Sequence, residues 1–155
     1  PDGDHWQILD IDSPTQQVVR YHLNADEGIL SEAEVVLDLT GEQIFPDGMV
    51  AGPDGTSVII AFYNPNEAEF GVARQFDLNS GEVVCEWRTA AAPRVTCPLL
   101  LEVDGVVKLV LTTATEGMEE SLFARHRNSG CLFIGSTSFE RVDCDHRLDV
   151  STLVG

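Results

Sequence analysis

Pro53-Asp54-Gly55-Thr56-Ser57-Val58-Ile59-Ile60-Ala61-Phe62-Tyr63-Asn64-Pro65 reads as a turn, an apolar run and a second turn. Val72-Ala73-Arg74-Gln75-Phe76-Asp77-Leu78-Asn79 and a turn at Gly81 follow. The same order stands about fifty residues earlier, a spacing typical of repeat arrays. There Pro1-Asp2-Gly3 leads an apolar run to Ile11, Asp12-Ser13-Pro14 turns, and Val18-Val19-Arg20-Tyr21-His22-Leu23-Asn24 precedes a turn at Gly28. After each turn comes a similar segment, Val35-Val36-Leu37-Asp38-Leu39 in one copy and Val83-Val84-Cys85-Glu86-Trp87 in the other. A looser third copy begins at Val103-Asp104-Gly105.

The content of each unit predicts strands. Val58–Phe62 and Val106–Leu111 are short, rich in β-branched residues and introduced by Asp-Gly, which suits the positive φ of tight hairpin turns. Val18–Leu23 and Ala73–Leu78 alternate in part between apolar and polar, as half-covered strands do. Ala25–Leu37 is the best helical candidate, but Gly28 interrupts it and the repeat gives its second half to a strand. Four short strands per ~45–50 residues is the period of a β-propeller blade. The expected fold is therefore all-β, built of blade-like antiparallel units near residues 5–40, 47–89 and 95–136.

Composition narrows the function classes. The 155 residues suit one domain with a real core, 43% of them hydrophobic. No segment approaches the ~18 apolar residues that span a bilayer. The first residues lack a basic region followed by an apolar core, so no secretion signal is expected, and the expected location is cytoplasmic. With 26 acidic residues against 9 basic ones, the net charge of −17 argues against a nucleic-acid partner. Such a charge serves solubility, or locally a divalent cation.

Cys85, Cys97, Cys131 and Cys144 lack zinc-site spacing. The first three lie in apolar segments, where a thiol is expected to act as a small hydrophobe. His5, His22, His126 and His146 share no motif, and Cys144-Asp145-His146 is expected to be a solvated loop. Neither a Gly-x-Ser-x-Gly elbow nor a phosphate-cradling glycine loop is present.

Phe45-Pro46-Asp47-Gly48-Met49 allows two readings. Pro-Asp-Gly is turn chemistry. At the start of a blade's innermost strand, however, a carboxylate can face the central channel and bind a hard cation.

These segments together resemble the senescence marker protein, gluconolactonase and luciferin-regenerating enzyme family. The resemblance rests on Phe45–Met49, Pro53-Asp54-Gly55, Tyr63-Asn64 and Phe76-Asp77-Leu78-Asn79-Ser80-Gly81. Asp12-Ser13-Pro14, Thr96-Cys97, Leu111-Thr112-Thr113-Ala114 and Gly130-Cys131-Leu132-Phe133 extend it, in order, over roughly residues 1–136.

The resemblance implies six-bladed propellers with a divalent metal, calcium or zinc, in the channel, and hydrolysis of sugar lactones. The family's metal ligands are an early glutamate, the asparagine of an Asn-Gly motif and the aspartate of Pro-Asp-Gly-Met. Asp47 matches the last; the other two, and the family's substrate-gripping arginine and asparagine, have no counterpart here. Asn64 and Thr96 stand as candidate substrate contacts. The chain thus resembles a C-terminal half of about three blades (1–43, 44–92 and 93–139), with a tail at 140–155 in which Arg147–Val154 could add a strand. Exposed end blades imply a homodimer or a complementing half-propeller as partner. Two function classes are open: a metal-dependent lactonase acting on a small lactone, or a non-catalytic propeller-like module that kept the scaffold and lost the site.

Overall fold

A computed structural model describes residues 5–142. Eleven strands form three antiparallel sheets among these residues, with a single 3-10 turn at Glu120–Leu122 as the only helical element. The first sheet holds β1 (His5–Asp12), β2 (Gln17–Asn24), β3 (Ile29–Leu30) and β4 (Glu34–Asp38). The second holds β5 (Phe45–Ala51), β6 (Ser57–Tyr63), β7 (Phe70–Asp77) and β8 (Val83–Ala90), paired in sequence order. The third holds β9 (Val95–Val103), β10 (Val106–Thr113) and β11 (Leu132–Ser136). The all-β expectation and its blade-like sheets hold. The 25–37 segment carries β3 and β4 and no helix, because Gly28 adopts φ +65° after β2 and turns the chain back.

The repeat places the first sheet one strand out of step with the second. Pro53-Asp54-Gly55 leads into β6, so β1 is the counterpart of β6, β2 of β7 and β4 of β8. Each copy closes its second hairpin with a glycine at positive φ, Gly28 at 65° and Gly81 at 73°. Four strands were expected in the third unit as well; three are present among the described residues, and the Arg147–Val154 strand lies outside them.

Two apolar cores lie on either side of β6. Val58, Ile60 and Phe62 point to one face and pack with Val18, Leu37, Val72 and Phe76. Ile59 and Ala61 point to the other and pack with Val95, Leu100, Leu109 and Leu111. Side chains alternate across a strand, so a strand covered on both faces must be apolar throughout. That is why this run lacks the alternation of β2. The outermost faces are different. Trp6, Ile8, Leu30 and Val35 on the first sheet, and Leu99, Leu101, Leu132 and Ile134 on the third, are exposed.

Candidate functional site

β5 and β9 lie side by side, and each begins with an irregularity. On β5, Pro46 faces Phe62 and Met49 faces Ile60, so Asp47 and Gly48 together oppose the single residue between. This is a β-bulge, a device that re-aims side chains and is common beside active sites. Gly48 makes it possible. A Cβ there would come within 2.6 Å of the Thr96 carbonyl oxygen and 2.9 Å of the Cys97 Cα. On β9, Thr112 faces Cys97 while Thr113 faces Val95, leaving Thr96 as the extra residue. The expected residues Asp47 and Thr96 are thus brought together, one in each bulge of two touching strands.

The surroundings of Asp47 are acidic and partly dry. Burial, and next the negative charge of Glu116, push its carboxyl above the usual aspartate range. Glu116 sits on the segment after β10, and that segment is gripped from below. The Arg94 side chain is buried; its guanidinium donates to the carbonyls of Glu116, Gly117 at 3.2 Å and Pro65 at 3.3 Å. The Tyr63 hydroxyl donates to the Glu116 carbonyl at 2.9 Å, and the guanidinium carbon of Arg94 lies 5.6 Å from the centre of the Tyr63 ring. Sequence reasoning missed Arg94 and Glu116. They stand 22 residues apart with only backbone carbonyls as common partners, which leaves no motif to read.

The other expected residues have local duties. The Thr96 hydroxyl shares a 2.6 Å hydrogen bond with that of Thr112, so it ties β9 to β10. Asn64 accepts the Asn66 N–H on its Oδ1 at 3.0 Å and lines a cleft with Ile44, Phe62, Phe70 and Arg74. Among the described residues no group of three His, Cys, Asp or Glu side chains is placed to hold a metal ion. The expectation of sheltered thiols needs correction. Cys97 and Cys131 are exposed and Cys85 is half-buried, although their sequence neighbours are apolar. Cys144-Asp145-His146 lies outside the described residues.

The pattern of the SMP-30/Gluconolactonase/LRE-like region matches residues 2–115. The chain belongs to this family. Among the relatives of this SMP-30/gluconolactonase-like chain is a putative sugar lactone lactonase, YvrE, of Bacillus subtilis. The two are 29% identical over 123 residues, 79% of this chain and 39% of that protein. An uncharacterized protein of Sulfolobus acidocaldarius is 29% identical over 113 residues, 73% of this chain and 38% of the other. The structure of a luciferin-regenerating enzyme superposes with a TM-score of 0.65 at 16% identity, over 85% of this chain and 41% of that one. That likeness shows a shared propeller-type fold. The SMP-30/gluconolactonase-like chain spans about two fifths of the length of these relatives.

Proposed function

We propose that this chain supplies one wall of a metal-dependent sugar-lactonase site, with Asp47 as its metal ligand. The observation that carries the reading is the Asp47 bulge. A half-buried carboxylate, aimed out of the strand register and pressed by a second carboxylate, is a charge arrangement that a cation relieves. The donors fit a hard ion such as calcium in kind, being oxygens, and zinc also accepts carboxylate oxygen. They do not close a coordination sphere alone, since the described residues bring no third acidic, histidine or cysteine ligand to the place. A bound divalent ion would supply Lewis-acid polarisation of a lactone carbonyl and a more acidic water. The chain's own part is to hold Asp47 and to fix Glu116 beside it through Arg94 and Tyr63; Thr96 anchors the bulge, and Asn64 has its side-chain amino group to offer a substrate.

The test is thermal. Calcium or zinc at a hundredfold excess over its dissociation constant should stabilise the fold by about 2.7 kcal/mol, and Asp47→Asn should remove that gain. Unchanged melting of the native chain in metal would sink the metal site. A colorimetric lactone assay on the same samples then separates binding from hydrolysis. The absence of a third ligand among the described residues favours one alternative, a propeller-like module without catalysis, which metal-independent melting and inert lactones would support. The exposed apolar faces of the first and third sheets belong to the same proposal, as the contact by which two copies complete one ring. Sedimentation equilibrium should then give a mass above 16.9 kDa that falls on dilution; a monomer at every concentration would exclude the dimer.

A further inference from the structure

We propose that the outer face of the third sheet docks on the outer face of the first sheet of a second copy, with Lys108 of one copy paired to Asp10 of the other. This pairing rests on the ring-completing dimer proposed above and decides which face meets which.

Strand register fixes what each face carries, because residues directly opposite in an antiparallel pair share one side of the sheet. On the third sheet Leu99, Val110 and Ile134 stand in one row across β9, β10 and β11, and Leu101, Lys108 and Ser136 stand in another. Leu100, Leu109 and Leu111, one residue out of step, are buried against the second sheet, so these rows form the outer face. On the first sheet Ile8 stands opposite Tyr21, and Asp10 opposite Val19, which in turn faces Val35. Leu9, Ile11 and Val18 turn to the core shared with the second sheet, which leaves Trp6, Ile8 and Asp10 outward.

Each face joins apolar surface to an unpaired charge. Leu99, Leu101, Leu132 and Ile134 are between 41% and 73% exposed, and Trp6 is 50% exposed on the other face. Contiguous apolar surface of this kind marks a contact, and tryptophan is a common anchor at its centre. Lys108 is the only lysine of the chain and the only charged side chain in the rows of the third-sheet face. Among the described residues neither Lys108 nor Asp10 has an ion-pair partner. An apolar cover would strip water from the ammonium group and return nothing. Whatever covers that face must therefore bring a carboxylate.

That requirement selects the partner face. The third sheet docked on its own copy would cover two lysines with rows that hold no carboxylate. The first sheet docked on its own copy would gather Asp10 and Asp12 from both chains. First on third joins opposite charges. It also continues the stacking already present within the chain, where one face of the second sheet covers the inner face of the third. Each copy carries both faces, so a two-fold axis makes the contact twice and closes the assembly.

Sedimentation equilibrium in chelator tests the pairing by charge reversal. Both side chains lie outside the two cores, so the reversals leave the fold intact. Lys108→Glu alone and Asp10→Lys alone should each raise the dimer dissociation constant about a hundredfold, at about tenfold for each of the two contacts. Asp10→Lys makes the chain less negative, so general repulsion by itself would tighten that dimer, and the expected weakening runs the other way. Mixed in equal amounts, the two variants should recover the native affinity, because both contacts then join opposite charges. Recovery also shows that both variants are folded. A native chain that stays monomeric, either single reversal dimerising as tightly as native, or a mixture no tighter than its components would each overturn the proposal. A native dimer with this behaviour whose melting ignores metal would leave the pairing standing and remove the metal site alone.

Discussion

Gly48 is required by space and not by dihedral angle, and the site depends on it. Gly48→Ala drives a methyl group into the backbone of β9 at Thr96 and Cys97, neither of which can swing aside as a side-chain tip would. Overpacking of this kind costs about 1–3 kcal/mol, so the urea midpoint should fall by that equivalent. The same variant should lose any metal-induced rise in melting temperature, because the bulge carries Asp47. The carboxyl groups respond to acid in opposite senses. Burial tends to raise the Asp54 carboxyl, but donors from Ser57 Oγ, the Thr56 N–H and the Ser57 N–H outweigh it and hold the group below its ordinary range. Its contribution is therefore present above the ordinary aspartate range and disappears as pH falls through the depressed value. Asp47 is raised, so its charged form opposes folding at neutral pH and its protonation on acidification relieves that cost. Asp47→Asn should accordingly melt higher than the native chain at pH 7 in chelator, with the gap closing as pH falls through the raised value. A gap that persists in acid would refute the electrostatic account.

β6 shows how far a strand can be read before its fold is known. A continuous apolar run after Asp-Gly announced a buried strand, and the alternation in Val18–Leu23 announced a half-covered one; both are strands. The β3–β4 region was legible only because the repeat overruled its helix-tolerant glutamates. The bulges were not legible. A bulge is an extra residue counted against a partner strand, and Asp47-Gly48 has no composition that fixes that count in advance. Within β6 the largest fully buried side chain is Phe62, its ring tilted by 52° against that of Phe76 at 6.3 Å and lying 5.2 Å under the Arg74 guanidinium. Phe62→Ala should cost about 3–5 kcal/mol, measured by denaturant unfolding. Ile134→Ala on the outer strand β11, where the side chain is 73% exposed, should cost far less in a monomer. A large loss at Ile134 would instead mean that a second copy covers it.

The charge of the whole chain and the geometry of its sheets act together. Net charge of −17 opposes close approach of two copies, so any closed dimer should tighten with added salt, which screens that repulsion. Dimer dissociation constants that rise with sodium chloride would contradict this. The arrangement of two cores around one strand has a further consequence, in time. β6 belongs to both cores, so neither flanking sheet can release all its apolar surface while β6 stays paired, and β6 itself cannot open until both flanks have loosened. Amide protons along Val58–Phe62 should then exchange with deuterium only through the largest opening the molecule makes, and those of β1 and β11 through small, frequent ones. The molecule should fray from its two ends toward a common centre, with its slowest clock in the strand that the repeat first made visible.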